Sequence, residues 1–268
     1  MSIGTDAERE YQGAAHYYSR YRPPYPAVMV KILRETFQLD GTGTLLDLGT
    51  GPGSIAIPIA HLFERVVAMD PEPDMLEEGS SLARRAGVGN IDWELGSSEE
   101  LSPALGRFRL VTMGESFHRM DRRRTLEALY DLLGAGGGVA IMGRGVPLPI
   151  PPMTPWRAAA CGVVRNYLGE IAMPWDGPSP APEQLHEAYL RGSRFTGLIE
   201  HAELFALQWT VESIIGNLYS MSFCNRRLLG DRATAFERDL RRALLAIEPS
   251  GIFRGESQQF FALMAFAR

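Results

Sequence analysis

The spacing of apolar and polar residues predicts a chain in which strands alternate with helices. An apolar run at residues 45–48, broken only by Asp47, is followed by three glycines at alternate positions, an apolar helical segment and a second apolar run that ends at Asp70. This order of strand, glycine turn, helix, strand and acid is typical of a βαβ nucleotide-binding unit. The prediction for the rest of the chain is arranged around this unit.

Further elements are predicted on both sides of the unit. Prolines between residues 147 and 155 and between 174 and 182 interrupt the pattern, because proline is excluded from helix interiors and central strands. A short helix is predicted before Arg22. Apolar spacing predicts longer helices over 27–38, 71–86, 156–170 and 183–194, helices capped by Asp121 and by Asp231, and strands over 91–95, 108–113, 139–142, 203–212 and 260–267.

The residues of the glycine turn indicate what kind of ligand it holds. Glycines allow a sharp turn with φ above zero, and the helix that follows directs free N–H groups at the ligand. Asp70 ends the second strand, where a carboxylate can accept both hydroxyls of a ribose. The dinucleotide fingerprint is G-x-G-x-x-G, whereas this turn has G-x-G-x-G and a nearby acid, Asp47. A carboxylate there opposes a pyrophosphate and suits a cationic or zwitterionic ligand.

At these residues the sequence resembles the class I S-adenosylmethionine-dependent methyltransferases. Their first motif is similar to the run from Leu46 to Gly53, and their second to Asp70 followed by Pro71. The resemblance implies a doubly wound α/β fold with a seven-stranded, mostly parallel Rossmann-like sheet, in which the last strand runs antiparallel between the fifth and the sixth. It also implies that the cofactor is S-adenosyl-L-methionine.

Three regions follow from the resemblance and from the prolines. Residues 1–144 are predicted to form the N-terminal arm and the cofactor-binding half, residues 145–200 an inserted helical cap over the substrate, and residues 201–268 the C-terminal part of the Rossmann-like domain. The arm contains the sequence R-P-P-Y-P from Arg22 to Pro26, which resembles the arm of small-molecule members of the family.

The resemblance implies that the cofactor is held by the arm, the glycine turn and the ends of the second to fourth strands. Ser97 stands where the family usually has an acid that bonds the adenine amino group, and a hydroxyl accepts that bond more weakly. Met75 is open between packing on adenine and packing in the core. The candidate cofactor-binding residues are Tyr18, Arg22, Asp47, Gly49, Thr50, Gly51, Gly53, Asp70, Pro71, Met75, Ser97, Ser98, Glu99, Gly114, Glu115 and Ser116.

The loop after the fourth strand contains the candidate catalytic residue, His118. The loop resembles the Q-A-F-H-W-x-D type of the family, and an imidazole can take a proton from an attacking hydroxyl or amine near pH 7. Two alternatives stay open. His118 could only order the loop through Asp121, and methyl transfer can proceed by alignment and desolvation without a base. Candidate substrate-binding residues are Phe117, His118, Trp156 and Trp175.

Composition excludes several other classes. The net charge of −5 argues against a general nucleic-acid-binding surface, and no apolar run approaches the roughly 20 residues that cross a bilayer. The N-terminus lacks the apolar core of a signal peptide. Cys161 and Cys224 have no metal-ligand spacing and are expected to be free thiols in the cytoplasm. Lys31 is the only lysine, which excludes a P-loop and a downstream Tyr-x-x-x-Lys pair.

The function predicted from these observations is methyl transfer from S-adenosyl-L-methionine to an oxygen, nitrogen or carbon of a small molecule such as a secondary metabolite. The alternative is a protein of the same fold that binds the cofactor without transferring the methyl group, as a scaffold or a rearrangement catalyst. A nicotinamide-dependent reductase is disfavoured by the glycine spacing. The expected partner is a small methyl acceptor, with no metal, nucleic acid or membrane, and a homodimer is left open.

Overall fold

A computed structural model of the chain describes residues 11–145, 153–170 and 185–268. The strands are β1 (Thr44–Leu48), β2 (Arg65–Asp70), β3 (Ile91–Leu95), β4 (Phe108–Gly114), β5 (Leu133–Gly145), β6 (Thr196–Thr210) and β7 (Ile252–Phe266). The helices are α1 (Ala15–Tyr21), α2 (Val28–Thr36), α3 (Ala56–Ile59), α4 (Pro73–Arg85), α5 (Arg122–Leu132), α6 (Pro155–Leu168), α7 (His186–Arg191), α8 (Val211–Tyr219), α9 (Arg226–Leu229) and α10 (Ala233–Ile247).

Within the described ranges the strands form one seven-stranded sheet in the order β3-β2-β1-β4-β5-β7-β6. The four pairs from β3 to β5 are parallel, so the carboxyl ends of these strands meet at one edge. The strand order reverses between β1 and β4, which is the place where such sheets bind their ligands. The doubly wound α/β prediction is confirmed, and β7 lies between β5 and β6 as predicted.

Contacts along the chain divide it into two compact units. The first, here called the sheet unit, comprises Pro24–Gly145, Pro180–Glu203 and Phe260–Arg268. The second, here called the helical unit, comprises Met1–Pro23, Val146–Ser179 and Leu204–Gln259. Strands β6 and β7 each pass from one unit to the other. The predicted division at 144/145 and 200/201 into two halves and a cap stays a prediction.

Each unit has its own apolar core. In the sheet unit, Leu46, Val111 and Ile141 of the central strands are buried beneath Leu126 and Leu129 of α5. Asp121 caps the start of α5, where its Oδ1 accepts the N–H of Arg124 at 3.1 Å. The cap at Asp121 was predicted.

The core of the helical unit is assembled from segments far apart in sequence. Trp156 of α6 and Trp209 of β6 are buried in the same cluster as Leu218, Phe236 and Leu240 of α8 and α10. Helix α8 begins with a reciprocal cap. The N–H of Ser213 donates to Oγ1 of Thr210 at 3.1 Å, and the N–H of Thr210 donates to Oγ of Ser213 at 2.8 Å.

Several predicted elements of the C-terminal third need correction. The sixth strand begins at Thr196 and not at 203, and the last strand begins at Ile252 and not at 260. Both early portions are rich in polar residues, so apolar runs did not mark them. The predicted cap of α10 is also wrong, because Asp231 lies in a 3₁₀ turn and the N-cap residue is Arg232, with no side-chain bond.

Candidate functional site

The site begins at the glycine turn, Gly49–Gly53, between β1 and α3. All three of its glycines have positive φ, with values of 72° at Gly49, 54° at Gly51 and 79° at Gly53. A side chain at Gly49 would place its Cβ 2.4 Å from the Cβ of Ser116, whereas a Cβ at Gly51 would meet nothing within 4 Å. The turn is therefore packed against the protein at Gly49 and open to a ligand at Gly51.

Asp70 lies beside this turn at the carboxyl end of β2. Its Oδ2 accepts the N–H of Gly51 at 2.7 Å, and its Oδ1 accepts the N–H of Glu72 at 2.9 Å. Burial raises the pKa of the Asp70 carboxyl, while these two backbone bonds and the charge of Arg119 act in the opposite direction. The carboxylate is thus fixed next to the open position of the turn.

Asp47 supports the glycine turn from inside the protein. Its Oδ2 accepts the hydroxyl of Thr50 at 2.6 Å and the N–H of Ala56 at 3.2 Å, and its Oδ1 accepts the hydroxyl of Thr112 at 2.6 Å. Asp47 is 1% exposed, and this burial raises its pKa to about 6 against the effect of the three bonds. These contacts join β1, β4 and the start of α3, and a direct contact of Asp47 with the cofactor stays a prediction.

The end of β3 is joined to the same edge by its register with β2. Asp70 pairs with Leu95, and the N–H of Gly96 donates to the backbone oxygen of Asp70 at 3.1 Å. The Ser97 hydroxyl bonds to Glu99 and lowers the pKa of that carboxyl. Leu95 is 63% exposed, an apolar side chain next to a predicted adenine site. Sequence reasoning missed Leu95, although its place at the end of a predicted strand could have suggested it.

The loop after β4 packs on the glycine turn. The hydroxyl of Ser116 donates to the backbone oxygen of Leu48 at 2.7 Å. Glu115 adopts φ of 57°, which is uncommon for a residue with a side chain. Its N–H donates to the oxygen of Met142 at 3.0 Å, and its Oε1 accepts the N–H of Arg144. This loop is thus held between β1 and β5, at the reversal of strand order.

His118 follows in a short 3₁₀ helix, and a second histidine lies next to it. The imidazoles of His118 and His186 have ring centroids 6.5 Å apart and planes 18° from parallel. Shielding from water lowers the pKa of His118. Glu115 opposes this effect, and Arg119 and Arg122 add to it. The pKa of His186 falls to about 4, through shielding first and then through Arg122 and His118. Both rings are therefore neutral at pH 7.

Aromatic side chains pack around His186, whereas His118 is an exposed residue. The ring of Phe117 is 5.3 Å from His186 and 6.3 Å from Tyr189, measured between centroids. Phe261 of β7 is 6.4 Å from His186. Sequence reasoning missed His186, which lies in the first turn of α7, far from His118 along the chain. A histidine beside a proline-rich segment gave no signal, because only the fold brings the two together.

The remaining predicted site residues lie in several environments. Pro71 is exposed next to Asp70, and Met75 is 3% exposed within α4. In the helical unit the Arg22 guanidinium lies 5.0 Å from the ring centroid of Tyr18 and donates to the oxygen of Ser220 at 3.4 Å. Their roles stay predictions.

The two predicted tryptophans of the substrate site differ in what can be said of them. Trp156 is 8% exposed, in the core of the helical unit. Its contact with substrate stays a prediction. Trp175 lies outside the described residues.

Within residues 11–145, 153–170 and 185–268, no group of three His, Cys, Asp or Glu residues is arranged to hold a metal ion, and no helix there is both long and apolar enough to cross a membrane.

Comparisons with known proteins agree with this geometry. A family model described as a methyltransferase domain matches residues 45–137. The chain is 27% identical over 210 residues to an uncharacterised methyltransferase of Schizosaccharomyces pombe, covering 78% of this chain and 77% of that one. It is 25% identical over 247 residues to an uncharacterised methyltransferase of Mycobacterium tuberculosis, covering 91% and 89%. The crystal structure of a putative methyltransferase from Bacillus halodurans matches the fold with a TM-score of 0.53, at 16% identity, over 90% of this chain and 99% of that one.

Proposed function

Since the chain belongs to the class I S-adenosylmethionine-dependent methyltransferases, we propose that it methylates an oxygen, nitrogen or carbon of a small molecule. The observation that supports this proposal is the position of His118. His118 lies two residues after Ser116, which touches the glycine turn, and its exposed ring is stacked near that of His186 on the loop at the reversal of strand order. An acceptor bound there would meet the cofactor and a neutral imidazole together.

The residues at the turn fit S-adenosyl-L-methionine. Asp70 places a carboxylate beside the open Gly51, where ribose hydroxyls can bond. Leu95 offers an exposed apolar surface to adenine. The buried carboxylates Asp47 and Asp70 give this edge a negative character, which favours a sulfonium over a pyrophosphate. When bound, the cofactor supplies a methyl group on a positively charged sulfur.

The chain's own residues would then perform three tasks. The glycine turn and Asp70 orient the cofactor. His186, supported from behind by the buried Phe117, forms part of the surface that holds the acceptor and aligns the reactants. His118, kept neutral by its lowered pKa, accepts the proton that the acceptor hydroxyl or amine loses as it takes the methyl group.

The net charge of −5 favours a small molecule over a nucleic acid as the acceptor. The rings of Tyr189 and Phe261 near His186 favour an acceptor with an apolar or aromatic body. A secondary metabolite meets this description. Cys161 and Cys224 are free thiols, which supports a cytoplasmic location.

Turnover with labelled cofactor and a panel of phenols, amines and carbon acids tests the proposal. We expect methylated product and S-adenosylhomocysteine in equal amounts.

His118→Gln should lower kcat by about 10² or more, and the loss of activity on the acidic side of pH 6.5 should disappear in this variant. His61→Ala, at an exposed histidine of the sheet unit, is the matched control and should retain both. Cofactor binding without transfer to any nucleophile would contradict the proposed function, and unchanged kcat and pH profile in His118→Gln would contradict the role of the base.

A further inference from the structure

The indole of Trp93 lies between the glycine turn and helix α4. Trp93 is half-buried on β3, where it pairs with Ala68 of β2. A Cβ added at Gly53, the last glycine of the turn, would lie 2.8 Å from Cη2 of the indole. A Cβ added at Gly79 of α4 would lie 2.4 Å from its Cζ3 and 2.5 Å from its Cη2. The edge of one ring therefore packs against both glycines.

The glycine at position 79 is explained by space and not by backbone conformation. Gly79 lies in the middle of α4 and does not have a positive φ, and glycine is less favourable than alanine in a helix interior. A Cβ at this position would meet the indole and would also lie 3.1 Å from the backbone carbon of Pro52 in the turn. The absence of a side chain at Gly79 therefore lets α4, Trp93 and the turn pack together.

Gly53 connects this packing to the part of the turn that faces the ligand. Its N–H donates to the backbone oxygen of Thr50 at 3.0 Å, and its own oxygen accepts the N–H of Ile57 at 3.0 Å. The first bond closes a tight turn that contains Gly51, and the second begins the helix that follows. These bonds give the turn its shape, whereas the indole contact at Gly53 fixes where the turn lies against α4.

We propose that Trp93 is a positioning residue for S-adenosyl-L-methionine. Its indole holds the glycine turn in place, so that Gly51 and Asp70 meet the cofactor in one fixed arrangement. Trp93 acts through Gly53, since a Cβ at Gly51 would meet nothing within 4 Å. A smaller ring at position 93 would leave a space beside both glycines, and the turn would lose this support. The inference rests on the cofactor of the proposed function.

Calorimetric titration of the full chain with S-adenosylhomocysteine tests the contact first. Trp93→Phe removes the outer ring that reaches the two glycines, and it should bind about tenfold more weakly because the site is less preorganised. Trp209→Phe is the matched control. It makes the same substitution at a tryptophan that is 8% exposed in the core of the helical unit, and its binding should stay within about twofold of the unaltered chain.

A second substitution separates positioning of the turn from a general loss of stability. Gly79→Ala alone presses its methyl group on the indole and should also weaken binding. In the Trp93→Phe background the same methyl group fills part of the space that the smaller ring leaves, so the double variant should bind within about threefold of the unaltered chain. Losses that simply add in the double variant would overturn the inference.

Kinetics give a readout that does not follow stability. In Trp93→Phe the KM for S-adenosyl-L-methionine should rise by the same factor as the dissociation constant, while kcat at saturating cofactor stays within about twofold. A fall in kcat with unchanged KM would overturn the inference. Equal binding by Trp93→Phe and the unaltered chain would overturn it as well and would leave the proposed function intact, whereas no binding by the unaltered chain would contradict both.

Discussion

The glycine turn and the core of the helical unit treat buried polar atoms in opposite ways. Around the glycine turn, the Asp47 and Asp70 carboxylates accept five hydrogen bonds, from the turn itself, from β4, from the first residue of α3 and from Glu72. In the core of the helical unit, Nε1 of Trp209 and Oδ1 of Asn217 have no hydrogen-bond partner among the described residues. The contrast teaches that the turn keeps its shape through its own hydrogen bonds, whereas the helical unit carries buried polar atoms whose lost hydration is not offset.

The largest effect is expected where the glycine turn is packed. Gly49→Ala combines a φ of 72° with a Cβ 2.4 Å from that of Ser116, and it should lower the free energy of unfolding by about 3 kcal/mol. Gly51→Ala has a positive φ but open space, so its cost should be about 1 kcal/mol. Urea unfolding measures both.

The Gly51→Ala variant also tests whether the cofactor product, S-adenosylhomocysteine, approaches the turn at its open position. The Gly51→Ala methyl group points into the open space, so this variant should fold yet bind S-adenosylhomocysteine at least tenfold more weakly. Equal unfolding free energies for the two variants would show that the turn is not packed at Gly49, and undiminished binding in Gly51→Ala would show that the ligand does not approach there.

The next prediction compares the loss of stability when a hydrogen-bonded buried group is removed with the loss when an unpartnered one is removed. Thr112→Val removes the hydroxyl that donates to Oδ1 of Asp47 at 2.6 Å, and leaving a buried carboxylate short of a donor should cost about 2 kcal/mol. Asn217→Leu removes an acceptor that has no partner, and it should cost less than about 0.5 kcal/mol or stabilise the chain. Urea unfolding at pH 7 gives both values, and similar losses in the two variants would remove the contrast.

The smallest expected effect concerns His186, whose pKa of about 4 in the folded chain lies below its usual value of 6.5. The unfolded chain therefore takes up the proton first, and the folded chain loses stability as the pH falls from about 6.5 to about 4. His186→Phe should remove about 1 kcal/mol of this loss, after allowance for solvent screening. Unfolding at pH 4.5 and pH 7 measures it.

Comparing the pH dependence of the unfolding free energy in His186→Phe and in the unaltered chain isolates the contribution of His186. Asp47, with a raised pKa of about 6, changes stability in the opposite direction over the same range but titrates in both proteins. A variant whose stability falls with acid as steeply as that of the unaltered chain would contradict the lowered pKa of His186.

The part of the fold that the sequence predicts well is the part whose signals are local. Strand β3 begins and ends at the predicted residues, and β1 begins one residue before the predicted apolar run, because short apolar runs bounded by glycine or polar turns are distinctive. The early part of β6 includes the polar residues Thr196, Glu200 and His201 and is largely exposed. Hydropathy therefore failed there, and for the same reason it missed the start of β7.

In the candidate site, too, the residues with a local sequence signal were predicted and those without one were missed. Residues at strand ends, such as Asp70 and Ser116, were predicted because a parallel sheet brings those ends together. The pairing of His186 with His118 depends on a contact between segments distant in sequence, which no local pattern records. Leu95 was missed for a different reason, since an apolar residue in a predicted strand is expected to be buried.

The most direct test of the account is calorimetric titration of the chain with S-adenosylhomocysteine, beside Asp70→Ala and the control Asp92→Ala. Asp92 is an exposed acid of β3 that pairs with Arg65 at 2.6 Å, so its removal should leave binding within twofold. We predict micromolar binding by the unaltered chain and a loss of at least tenfold in Asp70→Ala, because a charged hydrogen-bonding partner is removed. No binding by the unaltered chain, or equal binding by Asp70→Ala, would contradict the account.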